Sequence, residues 1–528
     1  MPRHAKRRKR GHAHPPPCQG ALLLFHSLFF LLLSFFLISC HGVSSGDHST
    51  LVFLIESSPA NLDPRIAADA QSERIDGLLF SSLVERDEQL TIRGDLAERW
   101  DTPDPLTYVF HLRPGVRFHD GRPLTSADVK FTFDSILSGA VTTTKRSSFR
   151  LVASVEAPDE ATVIFHLREP DASLLWNLSR PAIGIVPCGS GADFAAHPIG
   201  TGPFRFVSVR QEEDLVLERN PDYFRGAPAL ARVRFRIVPD DIVRALELRK
   251  GSADLEMSSL SADMVRVLAR QPALEVTERP GTNYNYLGVN FEDPILARRE
   301  VRQALAYATD RDTIINYLLR GQARPASGIL PPNHWAYEPN VRQHPYDPAR
   351  AERLLDAAGF PRRAGGLRLK LTLKTSTLES ARLIAAAIQD QWRRVGIELD
   401  LHPLELATLL SDVNRSNFQL CYLRWVGGNL DPDIFEFVFS SGRFPPEGAN
   451  RGHYRNPEVD ELTGRIRVEG NPERRKALCS RVQKILAEDL PYVNLWFNDA
   501  ICVHRRGRGP LRLSPTGDYD FLASLPAL

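Results

Sequence analysis

Leu367, Leu369, Leu371 and Leu373 fall on every second position, and Leu383, Ile384, Ala387, Ile388 and Trp392 then recur at helical spacing. Ile397, Leu399 and Leu401 return to a period of two. Strands alternate side chains between two faces and helices repeat every third or fourth residue, so the stretch predicts strand, helix, strand. Gly396 suits the C-terminal cap of that helix. A helical crossover between two strands favours parallel pairing in one sheet, which constrains this part of the chain to α/β architecture.

Other segments extend the pattern. Asp347-Pro348 reads as an N-cap followed by the first helical residue, with Gly359 closing the helix, and Asn456-Pro457 and Asn471-Pro472 repeat the start signal. Strands are expected at 51–55, 214–218 and 232–238, and at Tyr492 to Phe497 ahead of an irregular tail. Thr107–Leu112 and Thr162–Leu167 echo each other, both alternating aromatic or β-branched residues with polar ones. Alternating helices and strands begin near residue 286. With 528 residues, 43% apolar and 25% charged, the chain is a globular protein of two to four domains. That composition excludes disorder, a collagen-like repeat or a small disulfide scaffold.

The first forty residues read as an address. Arg3, Lys6, Arg7, Arg8, Lys9 and Arg10 precede an uncharged apolar run from Ala21 to Ile38, which ends in Leu37-Ile38-Ser39-Cys40. This is a secretory signal over 1–39. Its ending is similar to a bacterial lipobox, which makes Cys40 the lipid-modified first residue of the mature protein and 40–49 a polar tether. An uncleaved anchor and simple secretion are the competing readings. The six basic residues exceed the formal net charge of +2, so the remaining body is mildly acidic. It has no basic stripe, and nucleic acid is not an expected partner. Cys188, Cys421, Cys479 and Cys502 fit no metal spacing, and buried thiols or one disulfide remain equally open.

No catalytic motif stands out. Gly42-Val43-Ser44-Ser45-Gly46 matches G-x-S-x-G, but it follows the cleavage site rather than a strand, so it is a chance match. P-loop, dinucleotide and zinc-protease signatures are missing, the fifteen His are scattered, and no nucleophile–base set appears. Binding is favoured over catalysis, with no cofactor and no metal.

Five stretches in order carry a resemblance: Leu112-Arg113-Pro114-Gly115-Val116-Arg117-Phe118-His119-Asp120-Gly121; Gly200-Thr201-Gly202-Pro203-Phe204 with Arg219–Phe224; Tyr286 to Pro332; Trp425 to Phe435; and Arg451 to Leu462. Together they resemble the family 5 extracytoplasmic solute-binding proteins of peptide- and nickel-type ABC importers. The resemblance implies a two-lobed periplasmic-binding-protein-like α/β fold, type II, with an extra subdomain in lobe I. Lobe I then comprises 50–285 plus 495–528, with the subdomain at about 82–195. Lobe II is 286–494, and crossings near 286 and 494 form the hinge. It further implies a monomeric, membrane-anchored receptor in the periplasm or cell envelope that closes over a peptide and hands it to permease subunits. An oligosaccharide, an opine-like compound or a nickel complex is the alternative cargo, and an extracytoplasmic hydrolase or a sensor lipoprotein the alternative class.

The same resemblance places the ligand site. Peptide binders of the family carry an Asp for the α-amino group where this chain has Gly428, and dipeptide binders an Arg for the carboxylate where it has Thr375, beside Lys374. Free dipeptides are therefore expected to bind poorly. Asp431 either takes over the amine or caps the turn with Pro432. Trp425 stacks on ligand or packs the lobe, and Gly427, Gly428 and Asn429 complete its loop. Asn283 and Tyr284 near the hinge, and His334 and Trp335 beside Pro331-Pro332, are further candidates. His334 has no nearby partner for a metal.

Overall fold

The structure is a computed structural model that describes residues 49–87, 90–180, 183–427 and 431–527. Cys40, Gly428 and Asn429 lie outside the described residues, as does the 1–39 segment. Among the described residues no helix is long and apolar enough to cross a membrane.

The expected β-α-β unit is present. Strands Leu369–Ser376 and Ile397–Leu404 run parallel, in register from Leu369 opposite Ile397 to Ser376 opposite Leu404, and helix Glu379–Arg394 connects them. Its buried stripe is Ala381, Ile384, Ala385, Ile388, Gln391 and Trp392. Leu383, expected on that stripe, is half exposed, because its neighbour Ile384 takes the sheet-facing position and one residue turns the helix by about 100°. Trp392 is fully buried and its indole N–H donates to Thr309 Oγ1 at 3.0 Å. Gly396 has φ +87°, the left-handed turn that ends the helix. The three Asx-Pro starts hold too: Asp347, Asn456 and Asn471 each accept a backbone N–H from the first turn they open.

Eleven described strands form one sheet. One end holds Phe204–Arg210, Asp214–Arg219, Arg232–Ile237, Thr50–Ile55 and Leu255–Met257, the other Leu420–Trp425, Leu369–Ser376 and Ile397–Leu404, and the short strand Ala323–Pro325 pairs off this path with Tyr492–Arg505. Strands Leu274–Val289 and Tyr492–Arg505 join the ends as an antiparallel pair. Each end has its own core, one around Phe53, Phe235 and Tyr519 and the other around Leu371, Ile388 and Trp496, so the molecule is two-lobed. The last strand runs to Arg505 rather than stopping at Phe497. Beyond Phe497 the polar Asn498 stays in the ladder, where its Oδ1 accepts from Asn285 Nδ2 at 2.6 Å and is satisfied inside the sheet. Register slips between Arg279 and Asn283 and again between Asn285 and Tyr286, opposite Asn494 and Trp496.

A second sheet is separate. Thr107–Leu112 and Thr162–Leu167 pair antiparallel at its centre, flanked by Ala97–Asp104 and Val152–Asp159. Helix Ser126–Ser138 covers it, with Phe133 edge-on to Phe149 and Phe165. No disulfide forms among the described residues: Cys188 is exposed, and Cys421, Cys479 and Cys502 are buried free thiols.

Candidate functional site

A cavity of about 390 Å³ opens where five segments converge. Helix Ala70–Leu79, capped by the Asp69 carboxylate on Ser72 N–H at 2.9 Å, brings Glu73 and Arg74. Strand Val84–Arg86, paired with Ile92–Gly94, ends on Arg86, and the short helix Leu174–Leu178 brings Trp176 and Asn177, with Arg180 just beyond it. The turn after strand Leu420–Trp425 contributes Gly427 and Asp431, and the C-terminal tail contributes Thr516 and Asp518. A second cavity, of about 330 Å³, shares Arg74, Arg86, Thr516 and Asp518 with the first.

The charges differ in how far they are committed. Arg180 pairs with Glu73 at 3.2 Å. Asp431 accepts from Arg475 at 3.1 Å, from the Ser173 hydroxyl at 2.6 Å and from Asp433 N–H at 2.8 Å. Burial, reinforced by the Asp431 charge, raises the Asp433 carboxyl above the ordinary range. Arg86 lies with its guanidinium carbon 5.5 Å from the Trp176 ring centre. Burial pulls Arg86 below the usual arginine value, against the attraction of Asp518.

Trp176 is 7% exposed and its ring is backed by a stack. His334 lies parallel to it at 6.2 Å, Trp335 meets His334 at 5.7 Å, and the Arg475 guanidinium sits 5.7 Å from Trp335. Arg475 itself donates to Ser173 Oγ at 2.9 Å, Ala172 N–H donates to Arg467 O at 2.9 Å, and Arg467 pairs with Glu169 at 3.0 Å. Segment 169–173 is thereby tied to the part of the chain that carries Asp431 and Arg475.

The candidates named from sequence separate into three groups. Gly427 and Asp431 reach the cavity. Gly427 has φ +64° with open space where a Cβ would stand, so a side chain there is strained by the backbone rather than by neighbours. His334 and Trp335 stand behind Trp176; His334 is buried and its Nδ1 accepts from Ala336 N–H at 3.0 Å. Trp425, Asn283 and Tyr284 do not line the cavity. Trp425 packs edge-on to Phe437 under the Arg451 guanidinium. Tyr284 is fully buried, stacked on Tyr286 and bonded to Asn494, and Asn283 faces Asn498 in the ladder. Lys374 is held by Asp412 at 2.8 Å, and Thr375 is buried. Among the described residues no cluster of three His, Cys, Asp or Glu could hold a metal ion.

Arg86, Trp176, Glu73 and Asp518 were not singled out from sequence. Trp176 sits in Leu-Leu-Trp-Asn-Leu, which reads as an ordinary apolar turn of helix, and Arg86 in Val-Glu-Arg-Asp, which reads as a solvated charged turn. Only the pairing of two three-residue strands aims Arg86 inward.

Residues 91–444 match the family model for the bacterial extracellular solute-binding proteins, family 5, middle region. The chain is 29% identical over 507 residues to di/tripeptide-binding protein 1 of Pseudomonas aeruginosa, covering 90% of this chain and 93% of that protein. It is 29% identical over 458 residues to the glutathione-binding protein GsiB of Pectobacterium atrosepticum, covering 84% and 88%. The crystal structure of NikZ from Campylobacter jejuni in complex with Ni(L-His) superposes with a TM-score of 0.77 at 26% identity, covering 90% of this chain and 98% of that one.

Proposed function

The chain belongs to family 5 of the bacterial extracellular solute-binding proteins, and from that premise we propose that it captures peptides in the cavity between its lobes and delivers them to the permease of an ABC importer. It is a binding protein, not an enzyme. One observation carries the peptide reading. The cavity sets Arg74, Arg86 and Arg180 against Glu73, Asp431 and Asp518 around the Trp176 ring, a lining that suits a ligand with both charges and an apolar part. The di/tripeptide- and glutathione-binding relatives support it.

Lobe I is taken as 50–285 plus 495–528, with its subdomain at about 82–195, and lobe II as 286–494. The register slips at 279–286 lie beside the proposed crossings, where interrupted ladder bonds let two strands bend together. Cys40 is the lipid attachment point that holds a monomeric receptor at the cell envelope, and intact mass measurement of the mature N-terminus tests that assignment.

Native mass spectrometry of the purified protein, followed by X-ray scattering with the released solute added back, tests the function. A peptide mass is expected, together with a smaller radius on rebinding. A bound nickel complex or sugar moves the cargo to another class, and binding without compaction removes the closure on which delivery depends.

A further inference from the structure

We propose that Arg86 is the anchor for a free carboxylate on the captured solute, so that the receptor selects ligands by that group. The proposal deepens the peptide reading and rests on it.

Arg86 borders both cavities, and among the described residues no carboxylate lies within ion-pair distance of its guanidinium. Its neighbours contrast with it: Arg180 already has Glu73, and Arg475 has Asp431. Asp518, the acid that attracts Arg86 across the cavity, accepts from the Thr516 hydroxyl instead. Arg86 is half-buried, and a partly desolvated guanidinium without a counter-charge gains when an anion enters.

The setting is also rigid. The guanidinium lies over Trp176, and Trp176 is held from behind by His334, Trp335 and Arg475. The indole restrains the guanidinium, whose planar fork can offer two parallel N–H···O bonds to one carboxylate, a geometry a lysine cannot reproduce. Lobe II thus braces an anchor that lobe I carries. The carboxylate subsite is thereby complete when segment 169–173 and residues 334–335 are in contact with their partners.

Titration calorimetry with a library of free-acid tri- to hexapeptides and the matching C-terminal amides tests this on the full mature protein. In the unaltered protein the amides should bind about 10- to 100-fold more weakly than the acids, the range expected for losing a charged hydrogen-bonded pair. Arg86→Gln should lower the acids to the level of the amides and leave the amides unchanged, and Arg86→Lys should retain part of the difference. Amides that bind as well as acids overturn the anchor, as does an Arg86→Gln loss shared equally by both libraries. If Arg86→Gln fails to fold, Arg86→Lys decides: full retention of the acid–amide gap overturns the fork. If neither library binds, the peptide reading fails by itself. Citrate, succinate and glutarate then serve as probes, and the anchor stands only if at least one of them binds and loses affinity in the Arg86 variants.

Discussion

Burial of a carboxylate has a signature that can be read in solution. Glu256, in strand Leu255–Met257, is pushed up to about 7 by burial, against bonds from the Ser259 hydroxyl and amide; Arg244 lowers it further and Glu56 raises it. Its folded value lies above the unfolded one, so the native state holds a proton that the unfolded chain has released between about pH 4.5 and 7. Stability from this group therefore falls as pH rises through that window. Melting curves from pH 5 to 8 should show the decline in the unaltered protein and a flatter profile in Glu256→Gln, whereas parallel profiles would remove the group from the account. At this scale the sequence is a poor guide. Tyr284 and Asn283 carry the chemistry of a binding site but lie within a sheet, Tyr284 bonded to Asn494, while Arg86 and Trp176 look ordinary until their neighbours are in place.

At the scale of elements the sequence is more legible, because periodicity and capping are local. The β-α-β unit, the echoing strands and the three Asx-Pro helix starts need only neighbouring residues, and all are present. The far end of Tyr492–Arg505 was hidden because the partner that satisfies Asn498 inside the sheet, the Asn285 amide, is more than two hundred residues away in the chain. Four of the five resembling stretches meet in pairs, the first with the second and the third with the fifth. His119 N–H donates to Gly200 O at 2.8 Å and Gly200 N–H donates back to His119 Nδ1 at 3.2 Å, and burial holds that imidazole down to about 4, so it remains neutral. A Cβ on Gly200 would stand 2.0 Å from Leu79 O at the end of helix Ala70–Leu79. Gly200→Ala should therefore destabilise the protein by roughly 1–3 kcal/mol through overpacking, read as a lower denaturant midpoint at unchanged slope. In the other lobe Phe291 N–H donates to Gly452 O at 2.7 Å, and a Cβ on Gly452 would stand 2.0 Å from Val289 O. These contacts explain why the motifs announce the fold while leaving the cargo unspecified.

For the whole molecule the decisive contacts are those between 169–173 and the 431–475 region. Ser173→Ala removes one bond to Asp431 and one from Arg475 but leaves the Asp431–Arg475 pair intact, so the fold should survive. Hydrogen bonds to charged groups contribute about 1.5–3 kcal/mol, of which the remaining backbone and Glu169–Arg467 contacts retain a part. The expected outcome is a larger radius for the unliganded variant in X-ray scattering and solute affinity lower by about tenfold. An unchanged radius and affinity would mean that closure does not depend on this latch.

The two strands that join the lobes also order events in time. Leu255–Met257 sits between Thr50–Ile55 and the last strand, with Leu255 opposite His504 and Met257 opposite Cys502. The N-terminal half of the main sheet thus lacks its partner until the final residues have been synthesised. A ribosome must release nearly the entire chain before that sheet can close, and the contacts it then makes span most of the sequence, which slows folding. An unfinished chain is held open by its own topology, a condition suited to a polypeptide that has to be threaded across a membrane before it folds.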